Sequence, residues 1–129
     1  MSETGTDPAA DLIRAVVTNL THAPENWQSL AIVVELGGGR VSGTSGYTYA
    51  PDGTSEPTSA RPSRIIPAVE AYLDDRYEPG QPRPVAMLVQ LDRDASAYEI
   101  TFEDDDIRRW KVTPANIDEM PEKVRPHLG

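Results

Sequence analysis

The feature that most constrains this chain is a short apolar run cut off by three glycines. Leu30-Ala31-Ile32-Val33-Val34-Glu35-Leu36 is rich in β-branched residues and short, which predicts a strand. Gly37-Gly38-Gly39 ends it. A second extended stretch, Arg40 to Tyr49, comes at once, with Val41, Gly43, Ser45, Tyr47 and Tyr49 on one face. The tight glycine connection predicts an antiparallel hairpin. Gly43 and Gly46 weaken the second strand and mark either a bulge or a sheet edge.

Helical periods flank this hairpin. Asp7 is placed as an N-cap and Pro8 suits the first helical position. Leu12, Ile13, Val16, Val17 and Leu20 then fall on one apolar face, and the helix must stop before Pro24. Trp27, between that helix and the first strand, is expected to close the core. Pro51-Asp52-Gly53 is a turn, and the Ser-, Thr- and Pro-rich stretch from Thr54 to Pro62 reads as a surface loop. A second helix is predicted from Ser63, its cap, to about Tyr77, with Ile65, Ile66, Val69, Tyr72 and Leu73 buried and Pro67 in the first turn. Glu78 to Pro84 is a connector.

Val85 to Gln90 reads as a strand buried on both faces. A polar turn, Asp92 to Ser96, leads to the clearest half-buried strand, where Tyr98, Ile100 and Phe102 alternate with Glu99, Thr101 and Glu103. Thr113 is expected to cap a short helix that opens at Pro114 and is interrupted at Pro121. The order α-β-β-α-β-β-α predicts an α+β fold with a single antiparallel sheet of about four strands, helices on one face and a polar, accessible opposite face.

The chain of 129 residues has the length of one domain, expected to span residues 8–129 after a flexible leader at 1–7. It has no cysteine, which excludes disulfides and thiolate metal sites. Acidic residues outnumber basic ones by 21 to 12, for a formal charge of −9. Such a surface repels phosphate backbones and anionic membranes, so neither direct nucleic-acid binding nor membrane association is expected. It attracts a basic partner. The first residues lack a basic n-region and an apolar h-region, so a cytoplasmic location is expected.

No motif supplies nucleophile, base and orienting group together, so no catalytic residue and no cofactor are expected. His22 and His127 stand in no ligand or triad spacing. The Gly37–Gly43 stretch lacks the Gly-Lys-Ser/Thr ending of a phosphate loop. Asp74 and Asp75 are adjacent on a helix and face apart. The strongest local feature is Glu103-Asp104-Asp105-Asp106, which reads as a docking patch for basic residues, as a solvated acidic loop, or as a calcium site without the usual loop spacing. Tyr47 and Tyr49, among glycine and serine, suit an adaptable binding surface or the core. Trp110, beside Arg109 and Lys111, is either an interface anchor or the point where the tail packs on the sheet. Glu35 ends the buried part of its strand or points to the polar face.

Several of these segments together resemble the YezG-like immunity proteins, also described as domain of unknown function 600. The similarity rests on the Pro24-Glu25-Asn26-Trp27 turn after an amphipathic helix, a strand carrying Glu35, a tyrosine-bearing second strand, the Asp52-Gly53 turn, a central helix, and the run Glu99-Ile100-Thr101-Phe102-Glu103-Asp104-Asp105. It covers roughly residues 10 to 110. The resemblance implies an antitoxin that neutralises a co-encoded polymorphic toxin by binding, without catalysis; occlusion of the toxin's active site by a monomer or weak dimer is the expected mode. The expected contact set is Glu35, Tyr47, Tyr49, Glu99, Glu103, Asp104, Asp105, Asp106 and Trp110, meeting a toxin with a basic surface. Two other functions fit the same residues: a calcium- or small-molecule-binding regulatory module, and a chaperone-like partner of a secreted protein.

Overall fold

The computed structural model describes residues 7–37 and 40–127. The elements run α1 (Pro8–Thr18), β1 (Leu20–Thr21), β2 (Ser29–Gly37), β3 (Arg40–Tyr49), β4 (Ser55–Ala60), α2 (Pro62–Arg76), β5 (Ala86–Asp92), β6 (Ala97–Glu103) and α3 (Met120–Lys123). The fold is α+β, with one antiparallel sheet in the order β1-β4-β3-β2-β5-β6. That is six strands rather than the four expected.

The additional strands are β1 and β4. Ser55–Ala60 has Thr58 as its single strand-favouring residue, yet it pairs with β3 through Ser55–Thr58 and with β1 through Ser59 and Ala60. Backbone hydrogen bonds need no apolar side chain, and hydroxyls supplement them. The Thr58 hydroxyl donates to the Thr21 carbonyl, and the Thr21 and Ser59 hydroxyls lie 2.9 Å apart. Pro57 is tolerated because β1 pairs only with the end of β4, which leaves the outer side of Pro57 at an edge.

The Asp7 carboxylate accepts the Ala9 amide at 3.0 Å and caps α1, with Pro8 in its first turn. The rest of the expected leader, residues 1–6, lies outside the described residues. Helix α2 begins one residue earlier than expected, at Pro62, with Arg61 rather than Ser63 at the cap. Pro67 therefore falls in the second turn, and burial of Ile65, Val69 and Leu73 on either side of it sustains the helix. Residues 114–119 form turns instead of the predicted helix, and α3 starts only at Met120, with Pro121 in its first turn.

The tip of the glycine connection, Gly38-Gly39, also lies outside the described residues. Around it, Glu35 pairs with Gly43 while Leu36 pairs with Val41, so Ser42 is an extra residue in β3. This is a bulge, and β3 is interior, not an edge. The extra residue reverses the alternation. Val41 packs with Leu36 on the helix side, whereas Tyr47 and Tyr49 face the other way.

Both faces of the sheet are covered. Helices α1 and α2 pack over Leu30, Ile32, Val34, Met87 and Val89, with Leu12, Val16, Trp27, Ile65, Val69 and Leu73 filling the layer. The opposite face, expected to be polar and accessible, is a second core. Ala31, Val33, Tyr47, Tyr49, Ala86 and Leu88 are buried there beneath Trp110, Met120 and Val124 of the C-terminal segment. The two-sided burial of β5 foreshadowed this, because a strand apolar on both faces needs a layer on each. No helix among the described residues is long and apolar enough to cross a membrane.

Candidate functional site

Strand β6 is the sheet edge that leads into the acidic run. Its alternation sends Phe102 toward α2, where it stacks on Tyr72 and meets Tyr77 edge-on, each at 6.1 Å between ring centroids. The Arg76 guanidinium lies 5.1 Å above the Phe102 ring. The opposite phase places Glu99, Thr101 and Glu103 on the face of the second core.

Glu103 organises the turn that leaves β6. Its Oε2 accepts the backbone amides of Asp105 and Asp106 at 3.0 and 3.1 Å, and its Oε1 accepts the Arg109 guanidinium at 3.1 Å. The two amides, with help from Arg109, hold its carboxyl below the usual glutamate range. Asp106 in turn accepts the Arg108 amide at 2.9 Å. The run is therefore a built turn with the carboxylate of Glu103 at its centre. Asp104 and Asp105 remain exposed and pair with no base among the described residues.

This arrangement alters the composition of the patch. Arg108 and Arg109, which in the sequence only flank Trp110, fold back onto Asp106 and Glu103. No sequence spacing announces that return. Both oxygens of Glu103 are engaged as turn acceptors, a poor starting point for a calcium ligand. Among the described residues no group of three or more His, Asp or Glu side chains is placed to hold a metal ion.

The structure brings Glu35 to the same end of the sheet. Glu35 pairs with Ala86, and Ala86 with Glu103, so both glutamates lie in one row across β2, β5 and β6. Glu99 belongs to a different row, opposite Gln90, whose amide donates to the Val124 carbonyl at 2.7 Å. Glu99 is exposed there.

Tyr47, Tyr49 and Trp110 do not join this surface. All three are buried in the second core, which corrects their expected place at a partner contact. The Tyr49 hydroxyl donates to the Pro121 carbonyl at 2.6 Å, and Arg125 covers its ring at 4.5 Å. Burial pushes the Tyr47 and Tyr49 hydroxyls above the ordinary phenol range. Arg109 lies 4.6 Å over the Trp110 ring. The physical reason is that Trp110, Met120 and Val124 supply the apolar cover that the inner face of β2, β3 and β5 requires.

The sequence-predicted set thus divides. Glu35, Glu103, Asp104, Asp105 and Asp106 gather at one end of the sheet, Glu99 lies apart on the same edge strand, and the three aromatics are structural. Compared with protein-family models, with curated proteins and with solved structures, the chain finds no match.

Proposed function

We propose that the protein is an immunity protein that binds a co-encoded toxin and occludes its active site. The resemblance to the YezG-like family motivates the reading. The observation that carries it is the turn held by Glu103, which presents Asp104 and Asp105 outward at a sheet edge. A turn whose backbone is held in advance loses little freedom on meeting a basic surface, and the field of its carboxylates speeds encounter. The contact surface under this reading is Glu35, Glu99 and the Glu103–Asp106 turn, with the aromatic residues supporting it from within.

The test is co-expression with the product of the adjacent gene, scoring complex formation and growth rescue together. Asp104→Asn with Asp105→Asn leaves the Glu103 turn intact and is expected to slow association and weaken rescue, more strongly at low salt. Rescue that ignores both changes removes the acidic edge from the mechanism. Absence of both complex and rescue rejects the antitoxin reading.

A further inference from the structure

A second polar site lies at the far end of the β3–β4 hairpin. Thr48 and Glu56 are register partners there, so their side chains emerge together on one face of the sheet. The hairpin turn adds Asp52, and the segment ahead of β2 adds Asn26 and Trp27. With Thr54 they line a pocket of about 290 Å³.

Two properties set this pocket apart from the acidic edge. Its charge is of one sign, because Asp52 and Glu56 line it and no lysine or arginine does. Neither carboxylate has an ion-pair partner among the described residues. Asp52 is also fixed in place: its Oδ1 accepts the Thr54 amide at 3.0 Å and the Thr54 hydroxyl at 2.7 Å. These two bonds keep its carboxyl below the ordinary range.

The second property is a buried hydroxyl. Thr48 is only 2% exposed and lines the pocket, yet its side chain has no hydrogen-bond partner among the described residues. Buried polar groups without partners are uncommon and costly. A ligand that donates several hydrogen bonds would satisfy Thr48 and both carboxylates at once. The Trp27 indole, whose ring already carries the Arg93 guanidinium at 3.5 Å, contributes an apolar wall.

We propose that this pocket binds a cationic nitrogen group, an alkylammonium or a guanidinium, with Asp52 and Glu56 as its counter-charges, Thr48 as a hydrogen-bond acceptor at its base and Trp27 as its wall. The volume suits one such group on a short chain. It could be carried by a free amine or by a lysine or arginine side chain of a polypeptide, and the chemistry at the pocket is the same.

The experiment is a titration of the isotope-labelled full chain with agmatine and with N-acetyl-arginine amide, followed by the amide signals of Asp52, Gly53 and Thr54 and the Trp27 indole signal. N-acetyl-citrulline amide, isosteric and neutral, is the control. Both cationic probes are expected to give saturable shifts at the pocket, and citrulline none. Tighter binding of the capped arginine assigns the pocket to a polypeptide side chain, and tighter binding of agmatine assigns it to a free amine. Asp52→Asn with Glu56→Gln, both at exposed positions, is expected to weaken binding roughly ten-fold or more, the loss typical of charge-assisted bonds. Thr48→Val, which keeps the side-chain shape, is expected to weaken it as well. No saturable shift with either cation, equal binding of citrulline, or unchanged binding by the Asp52/Glu56 variant each overturns the proposal. No toxin enters this titration, so failure of growth rescue leaves it untouched.

Discussion

The hydroxyl of Tyr49 donates to the backbone carbonyl of Pro121 at 2.6 Å, across 72 positions of sequence. It ties the end of β3 to the first turn of α3 and so fastens the C-terminal cover to the sheet. Around this bond Met120, Val124 and Trp110 bury their side chains against Ala31, Val33 and Leu88. Burial of such side chains contributes roughly 1.5–3 kcal/mol each toward holding the segment on the sheet.

Tyr49→Phe keeps the ring and removes only the bond. It is expected to destabilise the protein by about 1–2 kcal/mol in urea unfolding, since the Pro121 carbonyl loses its donor. Limited proteolysis should then cut first between residues 104 and 127. Cleavage unchanged from the parent protein would show that the cover is held by its apolar contacts alone.

Gly46→Ala should be among the most damaging single substitutions. A Cβ at Gly46 would sit 1.9 Å from the Ala31 carbonyl oxygen, and the obstructing atom is backbone of the neighbouring strand. Overpacking of side chains costs roughly 1–3 kcal/mol, and displacing a paired strand should exceed that range. A folded variant with an unfolding midpoint near that of the parent would contradict the close approach.

Ser96 occupies the left-handed region at φ 50° in the turn between β5 and β6. A non-glycine residue is strained there by roughly 1–2 kcal/mol, part of which glycine returns through its greater freedom in the unfolded chain. Ser96→Gly is therefore expected to stabilise the protein by about 0.5–1 kcal/mol, and Ser96→Val to destabilise it, both read from denaturation midpoints.

Glu103 predicts a pH dependence of definite sign. Its folded-state carboxyl lies below the ordinary glutamate value of 4.5, first through the Asp105 and Asp106 amides and then through Arg109. The ionised group therefore contributes fully above 4.5, and its contribution fades as pH falls below 4.5 through the lower folded value. The difference in melting temperature between the parent and Glu103→Gln should stay constant from neutrality down to that point and shrink beneath it. A difference that is flat through the acid range would remove Glu103 as the anchor of the turn.

The features legible in advance were local. The Asp7 cap, the β2–β3 hairpin around its glycines, the two-sided burial of β5 and the inward phase of Ile100 and Phe102 all depend on neighbours within a few residues, whereas Tyr98, expected on the same buried face, is 41% exposed near the start of β6. The acidic run was equally plain as composition. Its geometry was not, because the return of Arg109 onto Glu103 is a product of the turn itself.

The amino-acid sequence by itself determined the α+β class, most of the regular elements and the strongly acidic balance, because periodicity, caps and charge act over short distances. The tertiary structure alone decided three things. Ser55–Ala60 became a strand because β3 and β1 offered backbone partners that side-chain propensity does not record. The Ser42 bulge set Tyr47 and Tyr49 on the face opposite Val41. The C-terminal segment then buried those tyrosines together with Trp110, since an apolar strand face must find a cover and the sequence does not say which distant segment supplies it.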